Sequence, residues 1–134
     1  MLLKNKRIFI VEDNLANRAI MQIALEHEGA KTGIDRWGLH TLEQLRQFAP
    51  VDLILLDLMF PDNTTGYDVF DHIRSDATFI QIPIVAVSAS DPTEAIPRTV
   101  AKGFAGFIRK PINQNKLPQQ ILAILQGEPV WDRS

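Results

Sequence analysis

The chain has 134 residues, 46% hydrophobic and 22% charged, which suits one globular domain able to bury a core without covalent staples. A net charge of −2 offers no basic surface for nucleic acid, and the lack of cysteine excludes disulfide frameworks, thiolate metal sites and thiol catalysis. No apolar run approaches the roughly 20 residues that span a bilayer, and no signal-peptide hydrophobic region follows Met1, so a soluble cytoplasmic protein is expected.

The first predicted strand, Ile8-Phe9-Ile10-Val11, is a continuous apolar run ending in Glu12-Asp13. Asn14 can cap a helix reaching to about Glu28, with Ala16, Ile20, Ile23 and Ala24 on its inner face and Gly29 as its stop. Lys31–Ile34 reads as a half-polar strand suited to a sheet edge. A second helix is expected around Gly38–Phe48, halted by Pro50. Leu53-Ile54-Leu55-Leu56 is the third strand and terminates in Asp57, an acid placed directly after a buried run. Gly66–Arg74 is a third helix, with Val69, Phe70 and Ile73 facing inward.

Ile84-Val85-Ala86-Val87 is the fourth strand and delivers Ser88. The next helix should be short or late-starting and should end near Lys102, because Pro97 would interrupt a continuous one. Ala105–Ile108 is the fifth strand, leading to Lys110, and Leu117, Ile121, Ile124 and Leu125 stripe a last helix. Residues 127–134 read as a plain tail. Continuous apolar strands alternating with amphipathic helices predict right-handed crossovers and a doubly wound, five-stranded parallel α/β sheet with five helices. The flavodoxin-like order 2-1-3-4-5 sets the first and third strands side by side. Glu12, Asp13 and Asp57 then share one sheet edge. Three acids so close repel one another unless a cation joins them, so the pattern proposes a hard-cation site with a spare carboxylate.

Val11-Glu12-Asp13-Asn14, Leu56-Asp57-Leu58-Met59, Pro61 with Gly66, Val87-Ser88-Ala89 and Lys110-Pro111 stand in order at successive strand ends. With these pieces the chain resembles the receiver domain of bacterial two-component response regulators, over about residues 6–126. The resemblance implies that Asp57 accepts a phosphoryl group. Lys110 and Ser88 would contact it, and Mg²⁺ (or Mn²⁺) would be held by Asp13, Asp57, the Met59 carbonyl and Glu12, the last directly or through water. It also implies that Met59 and Ser90 flank the phosphoryl group and tune its lifetime, that Phe107 turns inward with Ser88 as a switch, and that the Lys110–Pro111 bond is cis. The implied partners are a histidine kinase or histidine phosphotransfer domain as donor, and a downstream protein meeting the fourth helix, fifth strand and fifth helix. Neither nucleic acid nor membrane is expected to bind, and the role is that of a signalling phosphoacceptor, not an enzyme.

Several residues depart from the family pattern. Asp62-Asn63-Thr64-Thr65 puts four residues between Pro61 and Gly66, one more than the usual spacing, so a longer loop is expected. Phe107 lacks the hydroxyl of the commoner tyrosine, Ser88 replaces threonine, and Pro97 falls in the helix expected to carry partner contacts. His27, His40 and His72 show no ligand spacing and read as surface residues, and Lys4, Lys6 and Arg7 as a solvated terminus. Trp37 and Trp131 read as covers over apolar surface, with Trp131 also able to anchor a partner.

The leading expectation is therefore a stand-alone receiver with no room for a DNA-binding output domain. The alternative is an interaction scaffold on the same fold for which phosphorylation is not the trigger. A flavin or nucleotide carrier fits poorly, because a Glu-Asp-Asn loop after the first strand would repel phosphate.

Overall fold

In the computed structural model, which describes every residue except Trp37, Leu39, Asp62 and Ser134, the described residues form one sheet of six parallel strands. These are β1 (Arg7–Val11), β2 (Lys31–Asp35), β3 (Leu53–Asp57), β4 (Ile84–Ser88), β5 (Gly106–Arg109) and β6 (Val130–Trp131), in the order β2-β1-β3-β4-β5-β6. The helices are α1 (Leu15–His27), α2 (Thr41–Phe48), α3 (Gly66–Arg74), α4 (Pro92–Lys102) and α5 (Leu117–Leu125).

The continuous apolar strands are explained by two cores. Phe9, Val11, Ile54, Leu56, Ala86 and Phe107 face one cluster with residues of α2, α3 and α4. Their sequence neighbours Ile8, Ile10, Leu53, Leu55, Val85, Val87 and Ile108 face the other, with residues of α1 and α5. A strand covered on both sides has no solvent face on which to place polar residues, so alternation disappears. The half-polar β2 lies at the edge, as its composition predicts.

Four expectations are corrected. The five-stranded sheet gains a sixth strand, because residues 130–131 of the expected tail pair with β5. The inner face of α1 is Arg18, Met21, Ala24 and Leu25, while Ile23 is 63% exposed. Sequence reasoning passed over that stripe because a charged residue, Arg18, opens it. The fourth helix is continuous through Pro97. Pro97 sits on the exposed side, where water can reach the Thr93 carbonyl left without its donor, and Ala95, Ile96 and Thr99 bury the opposite side. Finally, Arg7 is not simply solvated. Its guanidinium lies 4.3 Å over the Phe48 ring and donates to the Phe48 and Pro50 carbonyls.

The second helix begins at Thr41, later than expected, with His40 as its N-cap rather than within it. His27, His40 and His72 are all exposed. Trp37 and Asp62 lie outside the described residues.

Candidate functional site

The parallel register brings the strand ends together. Val11 pairs with Leu56, Asp57 with Val87 and Ser88 with Arg109, so Glu12, Asp57, Ser88 and Lys110 emerge at one edge of the sheet. Glu12, Asp13 and Asp57 each offer a carboxylate oxygen within 4.8 Å of the others. Glu12 is 1% exposed and Asp57 6%, so little water is available to solvate either charge.

Lys110 bridges the two buried acids. Its Nζ lies 2.8 Å from Glu12 Oε1 and 3.3 Å from Asp57 Oδ2. Burial alone would lower its pKa, but the hydrogen bonds and charges of Glu12 and Asp57 outweigh that and raise it. The Asp57 carboxyl is pushed up to about 7, first by burial and then by the neighbouring Glu12, with Lys110 and the Met59 N–H opposing. One ammonium therefore falls short of balancing the acids. Glu12 Oε1 is buried and depends on the Lys110 ammonium 2.8 Å away. Oxygen donors with excess negative charge fit a hard divalent cation.

The first loop is held from behind by Arg18, which sequence reasoning passed over. Its Nη1 donates to the Glu12 carbonyl at 3.2 Å and the Asp13 carbonyl at 2.8 Å. Asn14 caps α1 by accepting from the Asn17 N–H, while its own N–H donates to Glu12 Oε2 at 3.2 Å. The available signal was an arginine at the i position of the Met21 and Leu25 stripe, where a charge is kept only if it finds partners.

Asp57 is tied to the loop that follows it. The Met59 N–H donates to Asp57 Oδ1 at 3.3 Å. At Gly66 any Cβ would collide with the Asp57 carbonyl oxygen, so only glycine lets α3 start against the end of β3. Thr65 caps that helix in a reciprocal box with Asp68. The longer loop folds back on itself: Met59 bridges Thr65, the Phe60 N–H donates to the Thr64 carbonyl at 3.1 Å, and Asn63 takes a φ of 66°.

A cavity of about 280 Å³ opens beside Asp57, lined by Met59, Ser88, Ala89, Ser90 and Lys110. Ser88 is buried, and its hydroxyl donates to Ser90 Oγ at 2.8 Å while accepting from the Ser90 N–H at 3.0 Å. All the residues expected around a phosphoryl group thus share one space. Phe107 does not border it. The ring is fully buried in the core on the α4 side of the sheet, so it already points inward. Lys110–Pro111 is cis, as is Ala49–Pro50.

A doubly wound parallel sheet with three acids, a lysine and a hydroxyl at its carboxyl edge defines a receiver-type signalling domain. Sequence comparison agrees: the family profile described as the response regulator receiver domain matches residues 8–122, and the chain belongs to that family. The polar-differentiation response regulator DivK of Brucella ovis is 32% identical over 120 residues, covering 90% of this chain and 96% of its own. The chemotaxis protein CheY4 of Vibrio cholerae superposes with a TM-score of 0.81 at 21% identity, over 90% of this chain and 98% of that one. A sensor protein from Polaromonas sp. JS666 gives 0.80 at 24% identity, over 91% and 97%. At such identities the two structures speak for the fold alone. Members of the family serve as phosphoacceptors in signalling and interact with histidine kinases and downstream proteins. No helix among the described residues is long and apolar enough to cross a membrane.

Proposed function

We propose that Asp57 accepts a phosphoryl group from a phosphohistidine and that the change of charge at the sheet edge is read by a protein partner. The observation that carries this reading is the position of Asp57. It is a buried strand-end carboxylate 3.3 Å from an ammonium, opening into a cavity that holds a serine hydroxyl.

In the transfer, a carboxylate oxygen of Asp57 forms a P–O bond as the donor's P–N bond breaks, and the imidazole leaves with the electron pair. Such transfers are promoted chiefly by positioning and by neutralising charge on the phosphoryl oxygens. Lys110 supplies one positive charge, already directed at Asp57 by its contacts with both acids. Ser88 can exchange its bond to Ser90 for a bond donated to a phosphoryl oxygen, drawing the β4 end toward the site. Met59 and Ser90 line the same cavity, where their size governs how readily water reaches the phosphorus. Mg²⁺ or Mn²⁺, held by Asp13, Asp57, the Met59 carbonyl and Glu12, would supply the remaining neutralising charge and keep Asp57 ionised. Arg18 fixes the carbonyls that orient Glu12 and Asp13. The donor is a histidine kinase or histidine phosphotransfer domain, and the readout passes through α4, β5 and α5, with Phe107 at its centre.

Incubation with acetyl phosphate and Mg²⁺ tests the assignment. Intact mass should rise by one phosphoryl group in the wild type and stay unchanged in Asp57→Asn. An unmodified wild type, under conditions that load another receiver, would favour a phosphorylation-independent scaffold.

A further inference from the structure

Arg98 is an exposed cation that the fold orients but does not pair. Its guanidinium lies 3.9 Å over the Tyr67 ring, and among the described residues it makes no hydrogen bond and no ion pair. Glu94 stands four residues earlier on the same helix, the spacing at which an acid and an arginine ordinarily pair. Here the guanidinium is drawn to the ring instead. The ring is itself fixed, because Tyr67 packs on the core cluster and meets Phe104 edge-on at 6.0 Å. Stacking of this kind orients the planar fork and leaves its N–H donors open, ready to receive a carboxylate through two bonds.

A groove between α3 and α4 runs from Arg98 toward the sheet edge. It encloses about 280 Å³, and its walls include Leu58, Met59, Tyr67, Glu94, Ala95 and Arg98. Met59 is 69% exposed, so apolar surface stands open at the mouth. Charge along α4 changes sign across the groove. Asp91 lies at the Ser90 end and is engaged as the N-cap, accepting from the Thr93 N–H at 3.0 Å. The Glu94 side chain has no hydrogen-bond or ion-pair partner among the described residues. Arg98 follows about 6 Å further along the helix axis. Met59 and Ser90 also line the cavity beside Asp57, so the two spaces adjoin.

We infer that this groove binds a short extended segment of a partner protein that carries an acid and a base on alternate residues. In an extended chain such side chains share one face about 7 Å apart, which matches the turn between Glu94 and Arg98. The acid forms the two-bond pair with Arg98 and the base faces Glu94. An aliphatic side chain beyond the base covers Leu58, Met59 and Ala95. A wholly acidic segment would meet Asp91 and Glu94, and a wholly basic one would meet Arg98, so mixed charge is what fits. The site lies on the α3 side of α4 and needs no phosphoryl group on Asp57. It is therefore separate from the readout through β5 and α5.

A phage library of random twelve-residue peptides, depleted on Arg98→Glu and then selected on the wild-type chain, tests this. Enriched peptides should carry an acid and a base two residues apart. One of them, made synthetically, should bind Arg98→Glu at least about tenfold more weakly than wild type, because a charge-assisted pair is lost. Exchanging its acid for lysine should restore binding to Arg98→Glu, which also shows that the variant is folded. Arg98→Lys should bind the original peptide more weakly than wild type, since a point charge does not replace the fork. Amide shifts on titration should cluster on α3 and α4 around Tyr67 and Ala95. The proposal is overturned by a selection that enriches nothing, or only peptides lacking an acid. Equal affinity for wild type and Arg98→Glu, no binding of the exchanged peptide, or shifts confined to β5 and α5 would overturn it as well.

Discussion

Neutralising Asp57 should stabilise the metal-free protein at alkaline pH. An unfolded chain titrates this carboxyl near 3.8 and the folded protein near 7. Between those values the folded state keeps a proton that the unfolded state has lost. Stability therefore falls as pH rises through this window, and the full penalty is present above 7. The difference of roughly three units corresponds to at most about 4 kcal/mol. Screening at the open mouth of the cavity, and loss of the contact with Lys110, reduce the expected gain in Asp57→Asn to about 2 kcal/mol at pH 8. Lys110 keeps its partner in the variant, because Glu12 Oε1 is the nearer acid at 2.8 Å. For a chain of 134 residues that gain raises Tm by about 7 °C. By pH 5 the advantage should shrink to about a third, since wild-type Asp57 is then protonated. Thermal unfolding in EDTA at pH 5, 6, 7 and 8 reads the trend, and added Mg²⁺ should narrow the gap by favouring the wild type. A variant no more stable than wild type at pH 8, or an advantage that grows on acidification, would refute the account of crowded charge.

Arg18→Met keeps the buried stem but removes both donors to the Glu12 and Asp13 carbonyls. It should cost about 2–3 kcal/mol in urea unfolding and weaken Mg²⁺ binding about 10-fold or more by calorimetry, as changes behind a metal ligand commonly do. Wild-type affinity would show that the loop holds its own shape. Pro97→Ala restores a donor for the Thr93 carbonyl within α4 and should raise stability by about 1–2 kcal/mol, the helix gain exceeding the lost restriction of the unfolded chain. A lower urea midpoint with unchanged slope would contradict that.

The polar groups of the site were legible because each terminates an apolar run. A parallel sheet turns strand ends into neighbours, so the sequence alone gathers Asp13, Asp57, Ser88 and Lys110. What escaped was decided by tertiary contacts. Arg18 hides a helix's inner face, since its charge is satisfied by backbone carbonyls that sequence does not display. Pro97 looked prohibitive because its penalty is local, while the burial of Ala95, Ile96 and Thr99 that offsets it is not. Two residues of β6 carry no periodicity, and their strand exists because Trp131 finds a core to cover and Gly106 leaves room. The Lys110 contact with Glu12 as well as Asp57 likewise depends on side-chain placement that motif spacing leaves open.

The fold-back between Phe60 and Thr64 has an engineering consequence. Its stem is fastened by the Met59–Thr65 bridge and by the Gly66 N–H, which donates to the Leu58 carbonyl at 2.9 Å. With that stem in place, α3 starts against Asp57. A reporter dye or a short epitope inserted next to Asn63 would lie beyond that stem without changing how Asp57 is held, giving an optical handle on the phosphorylation proposed there.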